Sequence, residues 1–269
     1  PISRQMVQKG RYWIPVFRSL DKETLRTVRI SKDVQPMSDE PGSFLKIHGF
    51  RIDGEFYPVE EKKMKIEFVG DSITSGEGTE GAKRELCWSS MVFGSVNHYA
   101  FMTAEALDAD YHIISQSGWG VLSSWDGNPK CSLPKYYTQV CGLAADGENA
   151  AAGAGKAWNF KAWQPDVVVI NLGTNGPITQ DEFAQIMSIV GEKRRVFVIN
   201  THVPTRRWQN DVNATLETIA KQYKNVHLID WYNYSTAHTD WFYDDQVHPN
   251  EVGSIYYCHL ITKEIVKGE

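Results

Sequence analysis

A three-layer α/β/α sandwich around a central five-stranded parallel sheet is the fold this sequence predicts for its larger part, and three observations predict it. From residue 65 onward, short runs of consecutive apolar residues recur, the strongest being Val167-Val168-Val169-Ile170. Near-continuous apolar strands are buried on both faces, as they are in a parallel sheet covered by helices on each side. Stretches with helical periodicity separate these runs, which is the βαβ pattern. Before residue 65 the chain changes character and becomes a succession of short β-rich pieces.

Taken in order, the pieces Arg11–Arg18, Leu25–Ser31, Phe44–Ile52 and Glu55–Val59 read as strands, with Asp53-Gly54 as a tight-turn signal. They are too few and too short to bury a core alone, so residues 1–64 are expected to form a small β-rich part packed on a larger domain, residues 65–269. In that domain Ile66–Gly70, Tyr111–Ser115, Asp166–Leu172, Arg195–Asn200 and Asn225–Asp230 read as five strands. Ser90–Leu107, Gln180–Val190, Gln209–Tyr223 and about Asn250–Val266 read as helices. In folds of this class, sites form at the carboxyl ends of the strands.

Composition excludes several functions. The chain has 269 residues, 42% hydrophobic and 23% charged, an ordinary globular balance. A formal charge of −5, not gathered into runs, argues against nucleic acid, because phosphate binding needs a basic face. No apolar stretch approaches the roughly 20 residues of a membrane-spanning helix, so no membrane partner is expected. The opening Pro-Ile-Ser-Arg-Gln-Met has no signal-peptide core, which makes a cytoplasmic location the expectation over secretion. The sequons Asn213-Ala-Thr215 and Asn233-Tyr-Ser235 point weakly the other way. Cys87, Cys131, Cys141 and Cys258 form no CxxC pair, and the histidines are scattered, so neither a metal nor another cofactor is expected. Cys131 and Cys141 would bridge in an oxidising compartment; free thiols are the expected state.

Four short motifs carry chemistry. Gly70-Asp71-Ser72-Ile73-Thr74 follows the first strand, Ser117-Gly118-Trp119-Gly120 the second, and Gly173-Thr174-Asn175 the third, while Asp245-Gln246-Val247-His248-Pro249 precedes the last helix. A serine hydroxyl is a weak nucleophile unless a base adjoins it, usually a histidine oriented by a third group. Ser72, on a turn flanked by Gly70 and Gly76, suits the nucleophile, and His248 the general base. Asp245, three residues earlier, is close enough to hold the Nδ1 proton of His248 and fix its tautomer. The backbone N–H of Ser72, that of Gly118 and the side-chain amide of Asn175 would supply an oxyanion hole. Each residue alone also has a bland reading: Ser72 as a helix N-cap, Gly118 and Asn175 as turn formers, His248 as a loop histidine. Four such motifs in this order favour the catalytic reading.

The set resembles the SGNH (GDSL-like) hydrolase superfamily, whose four namesake residues would be Ser72, Gly118, Asn175 and His248. The resemblance implies the three-layer fold and a serine esterase. Gly176 stands where many relatives carry an aspartate, which removes a polar support for the third-strand loop. The stretch Phe44-Leu45-Lys46-Ile47-His48-Gly49-Phe50-Arg51-Ile52-Asp53-Gly54, followed after a spacer by Lys65–Thr74, looks like family 2 carbohydrate esterases. Those enzymes fuse a jelly-roll β-sandwich to the catalytic domain and remove acetyl groups from polysaccharides such as xylan and mannan. The N-terminal part here is about half the length that this implies.

An acetylated carbohydrate is therefore the expected substrate. Trp119, Trp125, Trp163, Trp208 and Trp241 fall in or near predicted loops, and indole faces stack on sugars, although any one of them is as readily a core residue. Trp119, Trp208 and Trp241 are the expected sugar contacts, with Trp119 foremost. Sugar O-acyl transfer, lipid or thioester hydrolysis on the same fold, and a non-catalytic glycan-binding module are the alternatives. The last is disfavoured by intact Ser72, Asp245 and His248.

Overall fold

The computed structural model describes residues 2–35, 44–80, 90–141 and 147–267. These residues fall into two compact units, one made of residues 2–30 and 47–60, the other of the described residues within 31–46 and from 61 to 267.

In the larger unit five strands form one parallel sheet: β1 (Met64–Gly70), β2 (Ala109–Ser115), β3 (Val167–Asn171), β4 (Arg195–Ile199) and β5 (Val226–Ile229), in the order β2-β1-β3-β4-β5. Each is within two or three residues of its expected position. The helices are α1 (Tyr99–Ala106), α2 (Gly147–Ala152), α3 (Gln180–Val190), α4 (Gln209–Gln222), α5 (Trp231–Ser235) and α6 (Glu251–Lys267).

Period-two alternation along the strands divides the interior into two cores. Ile66, Phe68, Val167, Val169, Phe197 and Ile199 meet Tyr99, Trp231, Tyr257 and Ile261 of α1, α5 and α6. Val168, Ile170, Val196 and Val198 meet Phe183, Met187, Val212 and Leu216 of α3 and α4. Helices on both faces satisfy strands that have no solvent face, and the result is the three-layer sandwich. From β1 the chain steps to β2 on one side; from β3 onward it steps to the other. The reversal lies between β1 and β3, and in folds of this class the site forms at the strands' carboxyl ends beside such a reversal.

Two expectations fail. The helix expected over Ser90–Leu107 is only a 3₁₀ turn at Ser90–Val92 followed by α1. Gly94 donates its N–H to the Gly76 carbonyl at 3.2 Å, and Phe93 bridges Glu77, so this segment pairs with the loop after β1 instead of coiling. In the smaller unit none of the four expected strands appears among the described residues. A strand exists only where a neighbour accepts its ladder. Here Trp13, Leu25, Phe56, Tyr57 and Val59 are exposed, and local contacts dominate, such as Phe50 against Phe56 at 5.8 Å.

Candidate active site

The loop after β1 starts from a glycine with no room beside it for a side chain. A Cβ on Gly70 would stand 1.9 Å from Thr74 Oγ1 and 2.9 Å from the Asn171 carbonyl of β3. Thr74 folds back over the strand end and meets the Tyr99 hydroxyl at 2.7 Å in the buried core. Residues 71–76 then form consecutive turns, not the helix start that a capping serine would require: Ser75 N–H reaches Asp71 O at 2.9 Å and Glu77 N–H reaches Ser72 O at 3.0 Å. Ser72 is thereby held at the sheet's carboxyl edge, 3% exposed.

The loop before α6 delivers the base. Its Asp245 Oδ1 accepts the backbone N–H groups of Val247 (3.0 Å) and His248 (3.1 Å), closing a tight turn in which Gln246 takes φ 55°. Asp245 Oδ2 lies 2.7 Å from His248 Nδ1, and His248 Nε2 lies 2.7 Å from Ser72 Oγ. Residues 176 apart in sequence are thus joined in one relay. Burial would push the Asp245 carboxyl up, but the hydrogen bond and charge of His248 and the two N–H groups outweigh it and hold it down at about 2. Asp245 stays ionised, which fixes the Nδ1–H tautomer and leaves Nε2 unprotonated, facing the serine proton.

Gly118 follows β2 with φ +77°, a conformation that favours glycine, and its carbonyl accepts Trp125 N–H at 2.8 Å. Asn175 follows β3, and its Nδ2 donates to the Trp119 carbonyl at 3.2 Å, which orients the amide and leaves its second N–H. No acceptor among the described residues engages the backbone N–H of Ser72 or of Gly118. With glycine at position 176, the loop after β3 is held by neighbouring residues. Thr174 Oγ1 meets Thr201 Oγ1 at 3.0 Å, and the Trp208 indole N–H reaches the Gly173 carbonyl at 3.1 Å.

Of the three expected sugar contacts, the structure buries Trp119 and Trp241 and leaves Trp208 half-buried. Trp119 is 6% exposed and packs its ring on Tyr136 at 5.0 Å; it serves the site through its main-chain carbonyl. Trp208 is half-buried, with its N–H spent on the Asn175 loop. Trp241, 5% exposed, is stacked between His238 (3.9 Å) and Tyr256 (4.1 Å) behind the His248 loop. Large aromatic rings near a loop lower the free energy more by filling the gap beneath it than by facing water, and sequence does not tell the two apart. Of the five tryptophans singled out in the sequence, Trp125 is the exposed one (56%), and its Cδ1 would lie 3.0 Å from a Cβ on Gly118. The Arg206 guanidinium sits over it at 5.7 Å and over Trp208 at 5.6 Å.

Two acidic residues were missed. Asp71 is fully buried, and burial pushes its carboxyl up to about 7, helped by the charge of Glu77 and opposed by the Ile73 N–H and His248. Glu77, 3% exposed, places Oε2 3.8 Å from His248 Nε2. A glutamate between two glycines reads as a turn residue, and nothing in its neighbours marks it as buried.

Elsewhere, Asn213 of the first sequon spends its amide on both backbone groups of Thr201, at 2.8 and 3.0 Å, so this asparagine is structural. Cys131, Cys141 and Cys258 are unbonded thiols; Cys87 lies outside the described residues. No three His, Cys, Asp or Glu side chains among the described residues gather as metal ligands, and no described helix is long and apolar enough to cross a membrane.

A model of the GDSL-like Lipase/Acylhydrolase family matches residues 68–254. The acetylxylan esterase / glucomannan deacetylase of Cellvibrio japonicus is 35% identical over 154 residues, covering 55% of this chain and 39% of that protein. The peptidoglycan O-acetyltransferase OatA of Listeria monocytogenes is 35% identical over 100 residues, 37% of this chain and 16% of that protein. Among solved structures, the acetyl xylan esterase Est2A of Butyrivibrio proteoclasticus superposes with a TM-score of 0.68 at 28% identity, over 87% of this chain and 71% of that one. The chain spans well under half the length of these curated relatives.

Proposed function

The chain belongs to the GDSL-like lipase/acylhydrolase family, and from that premise we propose that it is a carbohydrate O-acetylesterase acting through an acyl-enzyme on Ser72. The observation that carries this is the Asp245–His248–Ser72 relay, with 2.7 Å at both links, at the point where the sheet order reverses. Ser72 Oγ attacks the acetyl carbon while its proton passes to His248 Nε2. The oxyanion that forms is met by the N–H groups of Ser72 and Gly118 and by the Asn175 amide. His248 then gives the proton to the departing sugar oxygen, leaving acetyl-Ser72 and a free hydroxyl. Water repeats the sequence, its proton passing through Nε2 to Ser72 Oγ, and acetate leaves.

A sugar as the leaving group is supported by the acetylxylan-esterase relatives and by the exposed Trp125 indole beside Gly118, on which a pyranose ring would stack opposite Arg206. The test is acetate release from acetylated xylan and glucomannan, beside 4-nitrophenyl esters from acetate to octanoate. Each methylene that the site fails to accommodate weakens transition-state binding by roughly 1 kcal/mol, so rates should fall steeply from acetate to butyrate. Rates that climb with chain length, with no acetate from either glycan, would move the enzyme to lipid or thioester substrates. The resemblance to OatA favours a second reading, in which a sugar hydroxyl replaces water in the second step. Transfer to an added oligosaccharide at the expense of free acetate would establish it.

A further inference from the structure

Glu77 is a carboxylate that the relay just described does not use. Its side chain is buried, and Oε2 lies 3.8 Å from His248 Nε2, the nitrogen that gains the proton in acylation. The same Oε2 accepts the hydroxyl of Ser117, the residue immediately before Gly118. Its backbone N–H donates to the Ser72 carbonyl at 3.0 Å. One residue therefore links the nucleophile loop, the oxyanion loop and the base.

We propose that Glu77 is a positioning residue that stabilises the His248 imidazolium from its Nε2 side and, through Ser117, fixes the Gly118 donor. The proposal rests on the serine-esterase reading. A general base must be neutral in the resting state, when the Glu77 charge has little to act on. Once Nε2 takes the serine proton, a full positive charge lies within 4 Å of that carboxylate among buried side chains, where Coulomb interactions are several-fold stronger than in solution. The interaction is made mainly in the charged intermediate, the condition under which binding accelerates a reaction. Three acidic groups face His248: Asp245 from its own loop on the Nδ1 side, and Asp71 and Glu77 from the loop after β1. The residues contributed by the loops after β2 and β3 are Ser117, Gly118, Thr174 and Asn175, all uncharged. The Ser117 hydroxyl points its positive end at Glu77, which moderates the repulsion between that carboxylate and the oxyanion.

The experiment is the pH profile of kcat/KM on 4-nitrophenyl acetate for wild type, Glu77→Gln, Glu77→Asp, Ser117→Ala and Ser72→Ala. Glu77→Gln retains an acceptor for Ser117 and removes the charge. The acid limb, which reports His248 losing its proton in the free enzyme, should move to lower pH by about one unit, with plateau turnover down roughly tenfold. Glu77→Asp keeps the charge but withdraws it, and should move the limb the same way by less, which covers the case in which the glutamine variant fails to fold. Ser117→Ala should lower turnover with the limb unmoved. A limb that coincides with wild type in both Glu77 variants overturns the inference while Ser72-dependent turnover leaves the esterase reading standing. Turnover that survives Ser72→Ala overturns both.

Discussion

Replacing Asp245 by asparagine tests the relay where its geometry is most specific. The carboxylate is gripped on one oxygen by two backbone N–H groups at 3.0 and 3.1 Å, while its other oxygen faces His248 Nδ1 at 2.7 Å. An asparagine in this turn keeps its carbonyl oxygen toward the two N–H donors, so its NH₂ must point at Nδ1. Nδ1 then becomes an acceptor, the ring proton moves to Nε2, and the nitrogen facing Ser72 loses the lone pair it needs. By analogy with other triads, kcat should fall about 10³–10⁴-fold, roughly 4–5.5 kcal/mol of barrier, yet stay above Ser72→Ala. Stability changes too. The native carboxyl is held at about 2 against an ordinary 3.8, so the folded state binds its proton less tightly than the unfolded chain. That contribution, about 2 kcal/mol or somewhat less because the group keeps some solvent contact, is present above pH ~4 and fades as pH falls through about 2. Steady-state turnover of 4-nitrophenyl acetate, with urea unfolding at pH 7 and pH 3, measures both. Turnover within tenfold of wild type, with an unshifted acid limb, would refute the orienting role.

Three further outcomes follow from the packing. Gly70→Ala drives a methyl into Thr74 and the Asn171 carbonyl and separates Thr74 from Tyr99, so denaturant unfolding should show a loss of about 3 kcal/mol or more; a loss below 1 would refute the close approach. Asp71→Asn removes a carboxyl pushed up to about 7, whose protonated form the fold favours. Wild type should therefore lose stability relative to the variant as pH rises from about 4 through 7, by a few kcal/mol, and parallel stability curves would contradict this. Trp125→Ala should lower kcat/KM on acetylated glycan at least tenfold and leave 4-nitrophenyl acetate within threefold, whereas Trp241→Ala should lower Tm by several degrees; the opposite pattern would return the sugar face to Trp241.

The sequence alone determined the sheet and the four motifs at its edge. Strands such as Val167–Asn171 are legible because burial on both faces demands consecutive apolar residues, and Ser72, Gly118, Asn175 and His248 because each chemical task admits few residue types. The fate of the tryptophans was not legible. Trp119, Trp208 and Trp241 read as loop residues just as Trp125 does, yet Trp119 and Trp241 are buried, Trp208 is half-buried and Trp125 faces solvent. Which indole is covered depends on partners such as Tyr136, His238 and Tyr256, brought in from distant positions. The same holds for Glu77, whose burial arises only when the loops after β1 and β2 and the loop before α6 meet. Strand existence depends on partners as well, and residues 11–18 and 25–31, β-rich by composition, join no strand ladder among the described residues. Local pattern sets what a segment prefers, whereas burial and pairing are properties of the chain's return, and only the tertiary structure holds that information.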